Sequence, residues 1–506
     1  MRTKNSIKNT ITSFFSNIFS FLFLFINQTI FIKIMGIEYT GLNGLFSNVL
    51  TLLNLFELGI GSAIIYHLYK YISKNNKEKI KSIMKFYEKA YNIVALIILI
   101  VGLSFTPFIN LIIGKNTIDI NFYIVYILFI ISTVSTYLIS YKRNLIYAYQ
   151  RNYIINIIHI IYIVLLNISQ LAIIYFTKNY YLYLIIKIIC ILIENIIITI
   201  KANKDYPYLL DKDIKPIDIK TKNNIINKVK ALSIHKFAGA ITYGTDSILI
   251  SYFFGLTSVG LYTNYHYIIA TIDTLFRNII TSTNASVGNL LVEKNYNDRF
   301  IAFKKINFLN LVITIITSVC LLNLIEPFIK IWLGNKFLLS KFILIVLIIN
   351  YFQSMMRTTF NVFKDSAGIW IEDRNIPIIQ TILNIVSSII LLKIYGIAGI
   401  FMGTILSSLL VWLYSYPKYV YKKLFNINYK TYYLRMIKEL IISIFIITVT
   451  YLITISFTTK ILLLDLILKL LISLILPTII LYLIYRKSDE YKYYIYLLKR
   501  IVKRTN

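Results

Sequence analysis

Long apolar runs alternate with short polar breaks along the whole chain. Most runs are close to the ~20 residues that a helix needs to cross the hydrocarbon core of a bilayer. Runs of this length predict membrane-spanning helices rather than the half-apolar helices of a soluble domain. The pattern predicts fourteen spans, at approximately 11–33, 43–68, 88–113, 118–140, 153–177, 181–200, 237–255, 258–285, 306–326, 337–356, 377–394, 398–417, 436–457 and 463–485.

Composition agrees with this pattern. Of the 506 residues, 58% are hydrophobic and only 15% are charged, whereas a soluble chain has about 25% charged residues. This balance excludes a soluble enzyme, an ordinary nucleic-acid-binding protein and a single-span receptor. Cys190 and Cys320 lie in different apolar runs, so they predict neither a disulfide framework nor a zinc site. The predicted fold class is an all-α polytopic membrane protein.

The net charge of +31 is distributed unevenly. If the N-terminus is cytoplasmic, the fourteen spans place 42 of the 53 basic residues in inner segments and 9 in outer segments. Such an excess of Lys and Arg on one side is the usual mark of the cytoplasmic face. We therefore expect a multi-pass membrane protein with both termini in the cytoplasm.

An internal repeat appears at an offset of 219 residues. FIKIMGIEYTGL at 31–42 aligns without gaps on ISYFFGLTSVGL at 250–261, so that Gly36 falls on Gly255 and Gly41 on Gly260. Each copy places a Gly-bounded hairpin after the first helix of a six-helix unit. Because six is even, the two copies have one orientation, as in transporters built from parallel repeats.

The span count and the repeat together predict the domain organisation. Two basic segments, 201–236 and 486–506, carry apolar residues at helical spacing. This pattern is typical of helices that lie on an anionic membrane surface, although partner binding is an alternative. The predicted domains are an N-terminal six-helix lobe at 1–200, a cytoplasmic basic linker at 201–236, a C-terminal six-helix lobe at 237–420, two additional transmembrane helices at 421–485 and a cytoplasmic basic tail at 486–506.

Four acidic residues lie deep within predicted spans: Glu57, Glu194, Asp246 and Asp273. A charge at the centre of a span costs ~2.5–3.5 kcal/mol on insertion scales, so each of these carboxylates needs a partner or water. Glu194 is seven residues from Lys187 on one helix face, and the two residues are interpreted as an interhelical structural pair. The other three lie near the middle of spans 2, 7 and 8.

The repeat offset aligns Asp246 with Asn27 and Asp273 with Asn54. The predicted substrate-binding residues of a central cavity are Arg277, Asp246, Asp273, Glu57, Asn54 and Asn27. In one interpretation the cavity is hydrated and Arg277 binds an anionic group through its planar donor fork. In the other, Arg277 and Asp273, at i and i+4, neutralise each other as a buried pair.

The sequence contains no GxxxxGK[ST] loop, so we expect no ATP hydrolysis by this chain. It also has no cluster of His, Cys and carboxylates typical of a metal site, and no Ser, His and Asp gathered in one soluble segment. We therefore expect a non-enzyme without a cofactor and with no nucleic-acid partner.

Three segments carry a family resemblance: GLNGLFSNVLTLLNLFELGIGSAIIYHLYK at 41–70, TDSILISYFFGLTSVGLYTNY at 245–265 and EDRNIPIIQTILNIVSSIILLKIYGIAGIFMGT at 372–404. They resemble bacterial polysaccharide-repeat flippases, in the polysaccharide transport family of the multidrug/oligosaccharidyl-lipid/polysaccharide (MOP) exporter superfamily. The resemblance implies twelve to fourteen helices in two six-helix lobes, located in the bacterial cytoplasmic (inner) membrane. It also implies alternating-access flipping of undecaprenyl-diphosphate-linked oligosaccharides to the outer leaflet, for capsule, O-antigen or related glycans. In related lipid flippases, cationic residues of the cavity meet the diphosphate, and Arg277 is the corresponding candidate by position.

Without an ATP site, transport requires an ion gradient, the membrane potential or removal of product. Asp246, Asp273 and Glu57 are the candidate sites for a proton or Na⁺. Two alternatives stay open at this point. A membrane polysaccharide polymerase or ligase is disfavoured because the predicted outer loops are short, and a multidrug exporter of the same superfamily is disfavoured by the arginine at the predicted substrate site.

Overall fold

Helices account for all regular secondary structure in the part of the chain that the structure, a computed structural model, describes. This part comprises residues 2–53, 57, 60–114, 116–211, 214–369, 372–459 and 461–505. The predicted all-α fold class is therefore confirmed.

The chain forms two compact units, residues 1–260 and 261–506. This division into compact units does not show where the second copy of the repeat begins, so the lobe boundary predicted within 201–236 remains a prediction. The helices in the first unit are α1 (Arg2–Met35), α2 (Ile37–Leu53), α3 (Ile60–Ser73), α4 (Lys77–Ser104), α5 (Ile109–Ile113), α6 (Phe122–Tyr137), α7 (Tyr141–Ala148), α8 (Asn152–Thr177) and α9 (Tyr180–Asp205), followed by α10 (Ile219–Thr281), which continues into the second unit.

The second unit is also helical, and it includes a π-helical segment at Val411–Lys422. The remaining helices are α11 (Asn284–Glu293), α12 (Tyr296–Trp332), α13 (Lys341–Ser366), α14 (Asn375–Tyr395), α15 (Ile397–Leu410), α16 (Lys423–Phe425), α17 (Tyr429–Ser456), α18 (Leu462–Tyr485) and α19 (Asp489–Thr505).

Eleven helical segments among the described residues have the length and hydropathy to cross a membrane. They coincide with eleven of the fourteen predicted spans. The other three predicted spans fall on α2 together with α3, and on the two parts of α10 that Gly255 separates. The protein is a multi-pass membrane protein.

The distribution of apolar side chains fits a lipid solvent. Residues such as Ile93, Ile382 and Ile444 are more than half exposed, and exposed apolar faces are expected where lipid replaces water around a helix. The interior of the second unit is instead aromatic. Phe303 and Tyr421, which are at most 1% exposed, pack there with their ring centroids 5.6 Å apart.

The repeated glycines break the helices at equivalent positions. Gly36 separates α1 from α2 with φ +94°, and Gly255 kinks α10 with φ +80°. Left-handed backbone is accessible to glycine because it has no Cβ. The sequence repeat is therefore also a repeat of backbone conformation.

The two copies also contact each other symmetrically within the first unit. A Cβ added to Gly41 would collide with the carbonyl oxygen of Leu256, and one added to Gly260 would collide with that of Ile37. Leu256 lies 219 residues after Ile37, as Gly260 does after Gly41. Such reciprocal pairing is the signature of a two-fold contact.

Candidate functional site

Arg277 and Asp273 form a bidentate ion pair on one face of α10. Arg277 donates from Nε to Asp273 Oδ2 at 2.8 Å and from Nη2 to Oδ1 at 2.6 Å. Helix α13 supplies two further acceptors: Thr358 Oγ1 at 2.7 Å from Nη1 and Ser354 Oγ at 3.0 Å from Nη2. The fork geometry matches the planar guanidinium to the carboxylate. All three guanidinium nitrogens are therefore engaged in this conformation.

The pair is nevertheless accessible. The side chains of Arg277 and Asp273 are 27% and 26% exposed. Both interpretations of these residues agree with this geometry, since the i,i+4 pair is formed and is only partly buried. An anion that bound Arg277 would do so by exchanging places with Asp273 or with the hydroxyls.

Asp246 lies in the first unit and is 5% exposed. Among the described residues, its Oδ1 has no hydrogen-bond partner. The neighbouring Ser247 accepts a hydrogen bond from Asn48 Nδ2 at 2.7 Å. A buried carboxylate oxygen without a hydrogen-bond donor is costly in its charged form, so this position suits a group that takes up a proton or a cation.

Glu57 is held by a tyrosine cluster that the sequence analysis did not identify. Tyr91 donates a hydrogen bond to Glu57 Oε1. The Tyr91 ring packs edge-on against Tyr87, with ring centroids 4.4 Å apart, and at a tilt against Tyr137, with centroids 5.8 Å apart. Asn144 in turn donates to the hydroxyl of Tyr87. Among the described residues, Glu57 is thus positioned by a tyrosine hydroxyl rather than by a cation.

The sequence contains part of the information that would predict this tyrosine cluster. Tyr87 and Tyr91 are four residues apart, so they share one face of α4, but no pattern along the chain pairs that face with a carboxylate thirty-four residues away. Asn27 is likewise fixed by a neighbour, since its Nδ2 donates to Asn167 Oδ1 at 2.8 Å. Asn54 lies outside the described residues.

Glu194 forms an interhelical structural pair, but its partner is not Lys187. Glu194 Oε1 instead contacts Arg143 at 3.1 Å and His159 Nδ1 at 2.9 Å, while the Lys187 ammonium lies 5.4 Å from the centroid of the Phe129 ring. Seven residues of helix separate Lys187 from Glu194 by about 10.5 Å along the axis. Arg143 on α7 and His159 on α8 reach the carboxylate more closely.

Among the six predicted site residues, direct contact is seen between Asp273 and Arg277. Asn27, Glu57 and Asp246 belong to the first unit and have separate surroundings there. Among the described residues, no group of three or more His, Cys, Asp or Glu side chains is arranged to hold a metal ion.

Comparison with known proteins places this fold among transporters. It superposes on a structure of the lipid II flippase MurJ in an inward closed conformation, with a TM-score of 0.66 and 17% identity over 95% of this chain and 99% of that one. It also matches an inward-facing multidrug resistance MATE family transporter of the MOP superfamily, with a TM-score of 0.59 and 12% identity over 77% and 91% of the two chains. A single-site mutant of the Vibrio cholerae MATE transporter VcmN matches with a TM-score of 0.59 and 13% identity over 84% and 99%.

The chain has the fold of these transporters. No protein-family model matches the sequence, and no curated protein matches it. The likeness accordingly concerns the fold. The matched structures on this fold include a lipid II flippase and a multidrug resistance transporter.

Proposed function

We propose that this protein is a flippase that moves undecaprenyl-diphosphate-linked oligosaccharide repeat units from the inner to the outer leaflet by alternating access, for surface polysaccharide synthesis. The observation that carries the proposal is the match over 95% of the chain to the fold of a lipid II flippase. The segments that resemble polysaccharide-repeat flippases, at 41–70, 245–265 and 372–404, support the oligosaccharide as cargo.

Arg277 is the proposed contact for the diphosphate. Its fork binds two carboxylate oxygens of Asp273 at 2.6 and 2.8 Å, and phosphate oxygens have a comparable geometry for bidentate binding. Asp273 therefore holds the guanidinium in place until substrate arrives. On binding, the diphosphate takes over one or both donors, and Asp273 restores the pair after release.

The energy source in this proposal is an ion gradient or the membrane potential. Asp246 is the strongest candidate for the proton or Na⁺, because it is 5% exposed and its Oδ1 lacks a hydrogen-bond partner among the described residues. Asp273 and Glu57 remain the other candidates. Neutralising a buried carboxylate changes its desolvation energy by several kcal/mol, which is enough to bias two conformations.

The test is transport by the purified full-length protein in proteoliposomes. A fluorescent undecaprenyl-diphosphate oligosaccharide is loaded into both leaflets, and a membrane-impermeant quencher then reports the fraction that reaches the outside. Protein-dependent loss of the protected fraction is the expected result. Loss that is equal in protein-free liposomes, or in liposomes containing an unrelated membrane protein, contradicts the proposal.

The multidrug exporter is the second candidate, because two of the matched structures are MATE proteins. Such an exporter moves ethidium-type cations across the same liposomes and leaves the lipid-linked oligosaccharide in place. In cells lacking the gene, the flippase proposal predicts repeat units retained in the inner leaflet. Units that reach the outer leaflet but stay unpolymerised would instead indicate the polymerase.

A further inference from the structure

One face of α4 changes from charged to apolar along its length. Lys85 and Lys89 are exposed, and Ile93, Leu96 and Ile100 are 58%, 55% and 59% exposed. At 100° per residue, all five positions fall within an arc of about 80°. The lysines therefore continue the apolar stripe rather than occupying another side of the helix.

The lengths along this stripe match one half of a membrane. From Ile93 to Leu103, which is 42% exposed, ten residues rise about 15 Å. Half of a ~30 Å hydrocarbon core has the same thickness. When the apolar stripe lies beside one acyl leaflet, Lys85 and Lys89 lie at the depth of its headgroups, on the side that the charge distribution assigns to the cytoplasm.

The lysine end of the stripe opens into a cleft of about 1260 Å³ between α4, α7 and the segment that precedes α10. Among the described residues, two carboxylates line it, Glu88 and Asp211. The cationic lining is larger, and consists of Lys81, Lys85, Lys89, Lys142, Lys215 and Lys222.

Several of these lysines have anionic partners. Lys81 pairs with Asp211 at 3.0 Å and Lys85 with Glu88 at 3.1 Å. Lys89, in contrast, forms no ion pair with any described residue. Lys215 also pairs with Glu78, at 3.5 Å. Among the described residues, the cleft therefore keeps an excess of positive charge after these pairs are formed.

The outer wall of the cleft is fixed in place. Lys79 binds Asp218 at 2.8 Å, and Ser82 Oγ donates to the carbonyl oxygen of Lys215 at 2.6 Å. Both bonds tie the segment before α10 to the first turns of α4. The cleft exists before a ligand arrives, so binding requires little ordering of the chain.

We propose that this cleft binds the headgroup of an anionic glycerophospholipid of the inner leaflet, with an acyl chain along Ile93, Leu96 and Ile100. The excess lysines attract the phosphate, and the apolar stripe accepts the chain. An ordinary solvent-exposed patch of lysines would account for the positive charge of the cleft. It would not account for the position of Lys85 and Lys89 in line with the apolar stripe. The lining cations are all lysines, which act as point charges on phosphate and attract anionic lipids at a membrane surface.

Native mass spectrometry of the full-length protein provides the test, with phosphatidylglycerol and phosphatidylcholine as probes. The triple variant Lys85→Gln, Lys89→Gln, Lys222→Gln removes exposed cleft charges while keeping most of each stem. The control variant Lys294→Gln, Lys430→Gln, Lys487→Gln removes three exposed lysines from other inner segments. We expect phosphatidylglycerol to bind the triple variant about 100-fold more weakly than the unmodified protein, given about a factor of five per lysine.

The proposal requires less than a twofold effect in the control variant and a clear preference for phosphatidylglycerol over phosphatidylcholine. An equal loss in both triple variants would show general surface attraction and overturn the specific site. Displacement of the lipid by millimolar inorganic phosphate would show a soluble-anion site instead. Stronger binding of undecaprenyl diphosphate than of phosphatidylglycerol would assign the cleft to a lipid-linked substrate, and would also overturn it.

A second measurement locates the acyl chain. Tryptophan introduced by Ile93→Trp should be quenched by phosphatidylglycerol brominated on its acyl chains more strongly than by the brominated phosphatidylcholine. The preference should disappear when the three cleft lysines are also replaced. A preference that persists without these lysines contradicts the proposed link between the headgroup and the stripe.

Discussion

Gly41 and Gly260, which occupy equivalent positions of the repeat, are each packed against the backbone of the other copy. A Cβ on Gly41 meets the Leu256 carbonyl and a Cβ on Gly260 meets the Ile37 carbonyl. Beside them, Thr257 Oγ1 donates to Glu38 Oε1 at 3.0 Å, and these two residues are also related by the 219-residue offset. Close approach of helix backbones through small residues is a common basis of helix association in membranes.

Gly41→Val and Gly260→Val should therefore separate the same pair of helices. Overpacking typically costs about 1–3 kcal/mol, and here the obstacle is backbone, which cannot rotate away. We expect each substitution to reduce flipping in proteoliposomes at least severalfold. Gly288→Val is the matched control, because a Cβ at Gly288 meets nothing within 4 Å. Equal activity in all three variants would show that this contact is dispensable.

Arg277→Ala should abolish flipping while the protein remains inserted and monodisperse, because the side chain is 27% exposed and its removal leaves Asp273 near water. Arg277→Lys should retain part of the activity, since charge survives without the fork. Transport and membrane abundance are measured together.

The double variant Arg277→Ala, Asp273→Ala separates substrate binding from simple neutralisation. Substrate binding by Arg277 predicts that the double variant stays inactive. If the pair served only to neutralise itself, the single variant would lose abundance and the double variant would recover both abundance and flipping.

Substitutions of two adjacent acidic residues, Asp373 and Glu372, should change the thermal stability by very different amounts. Asp373 is 1% exposed and binds Lys364 and Ser415, whereas Glu372 has a half-exposed side chain and pairs with Lys423. Breaking a buried pair costs about 3–5 kcal/mol, and an exposed pair is worth about 0–1 kcal/mol. Asp373→Asn should lower the Tm in detergent by several degrees, and Glu372→Gln should leave it nearly unchanged. A similar shift for both variants would contradict the assigned burial.

Asp218 should keep the start of α10 attached to α4 across the physiological pH range. The Lys79 ammonium, aided by the hydroxyl and amide of Thr221, holds the pKa of the Asp218 carboxyl well below its usual range. A lowered folded-state pKa stabilises the attached form above the unfolded pKa of ~3.9, and this contribution is lost only as the pH falls through the folded value.

Proteolysis near Lys222 should therefore be equally slow at pH 8 and pH 5 once corrected for protease activity. Asp218→Ala also removes the side-chain acceptor that caps Thr221 N–H at 3.0 Å, so cleavage should accelerate severalfold at both pH values. A marked acceleration of the unmodified protein between pH 8 and pH 5 is the outcome that opposes this account.

Membrane topology is tested by single cysteines at Asn75 and Asn335, which lie in exposed turns before α4 and before α13. Each cysteine is introduced into a protein whose two native cysteines are removed by Cys190→Ala and Cys320→Ala. An impermeant thiol reagent added to intact cells should label position 335 at once, and position 75 only after permeabilisation. Labelling of both from outside would contradict the fourteen-span topology.

Features that depend on neighbours along one helix could be predicted from the sequence. The apolar runs predict the helices because lipid requires a minimum span, the glycines of the repeat predict the breaks, and the i,i+4 spacing predicts contact between Asp273 and Arg277. The partners of Glu57 and Glu194 could not be predicted in this way. Tyr91 and Arg143 reach these carboxylates only after different helices pack together, and a single sequence does not determine which faces meet.

Helices α17 and α18 form polar contacts with α12 in the second unit. Asn323 of α12 donates to Ser473 Oγ of α18 at 3.0 Å and to Thr454 Oγ1 of α17 at 3.4 Å. Asn307 donates to Glu439 of α17 at 3.0 Å. A shortened chain that ended at Phe425 would leave both asparagine amides without these partners, and an unsatisfied amide within the bilayer costs several kcal/mol. A version of this protein without α17 to α19 would consequently need apolar replacements at positions 307 and 323 before it could be stably inserted.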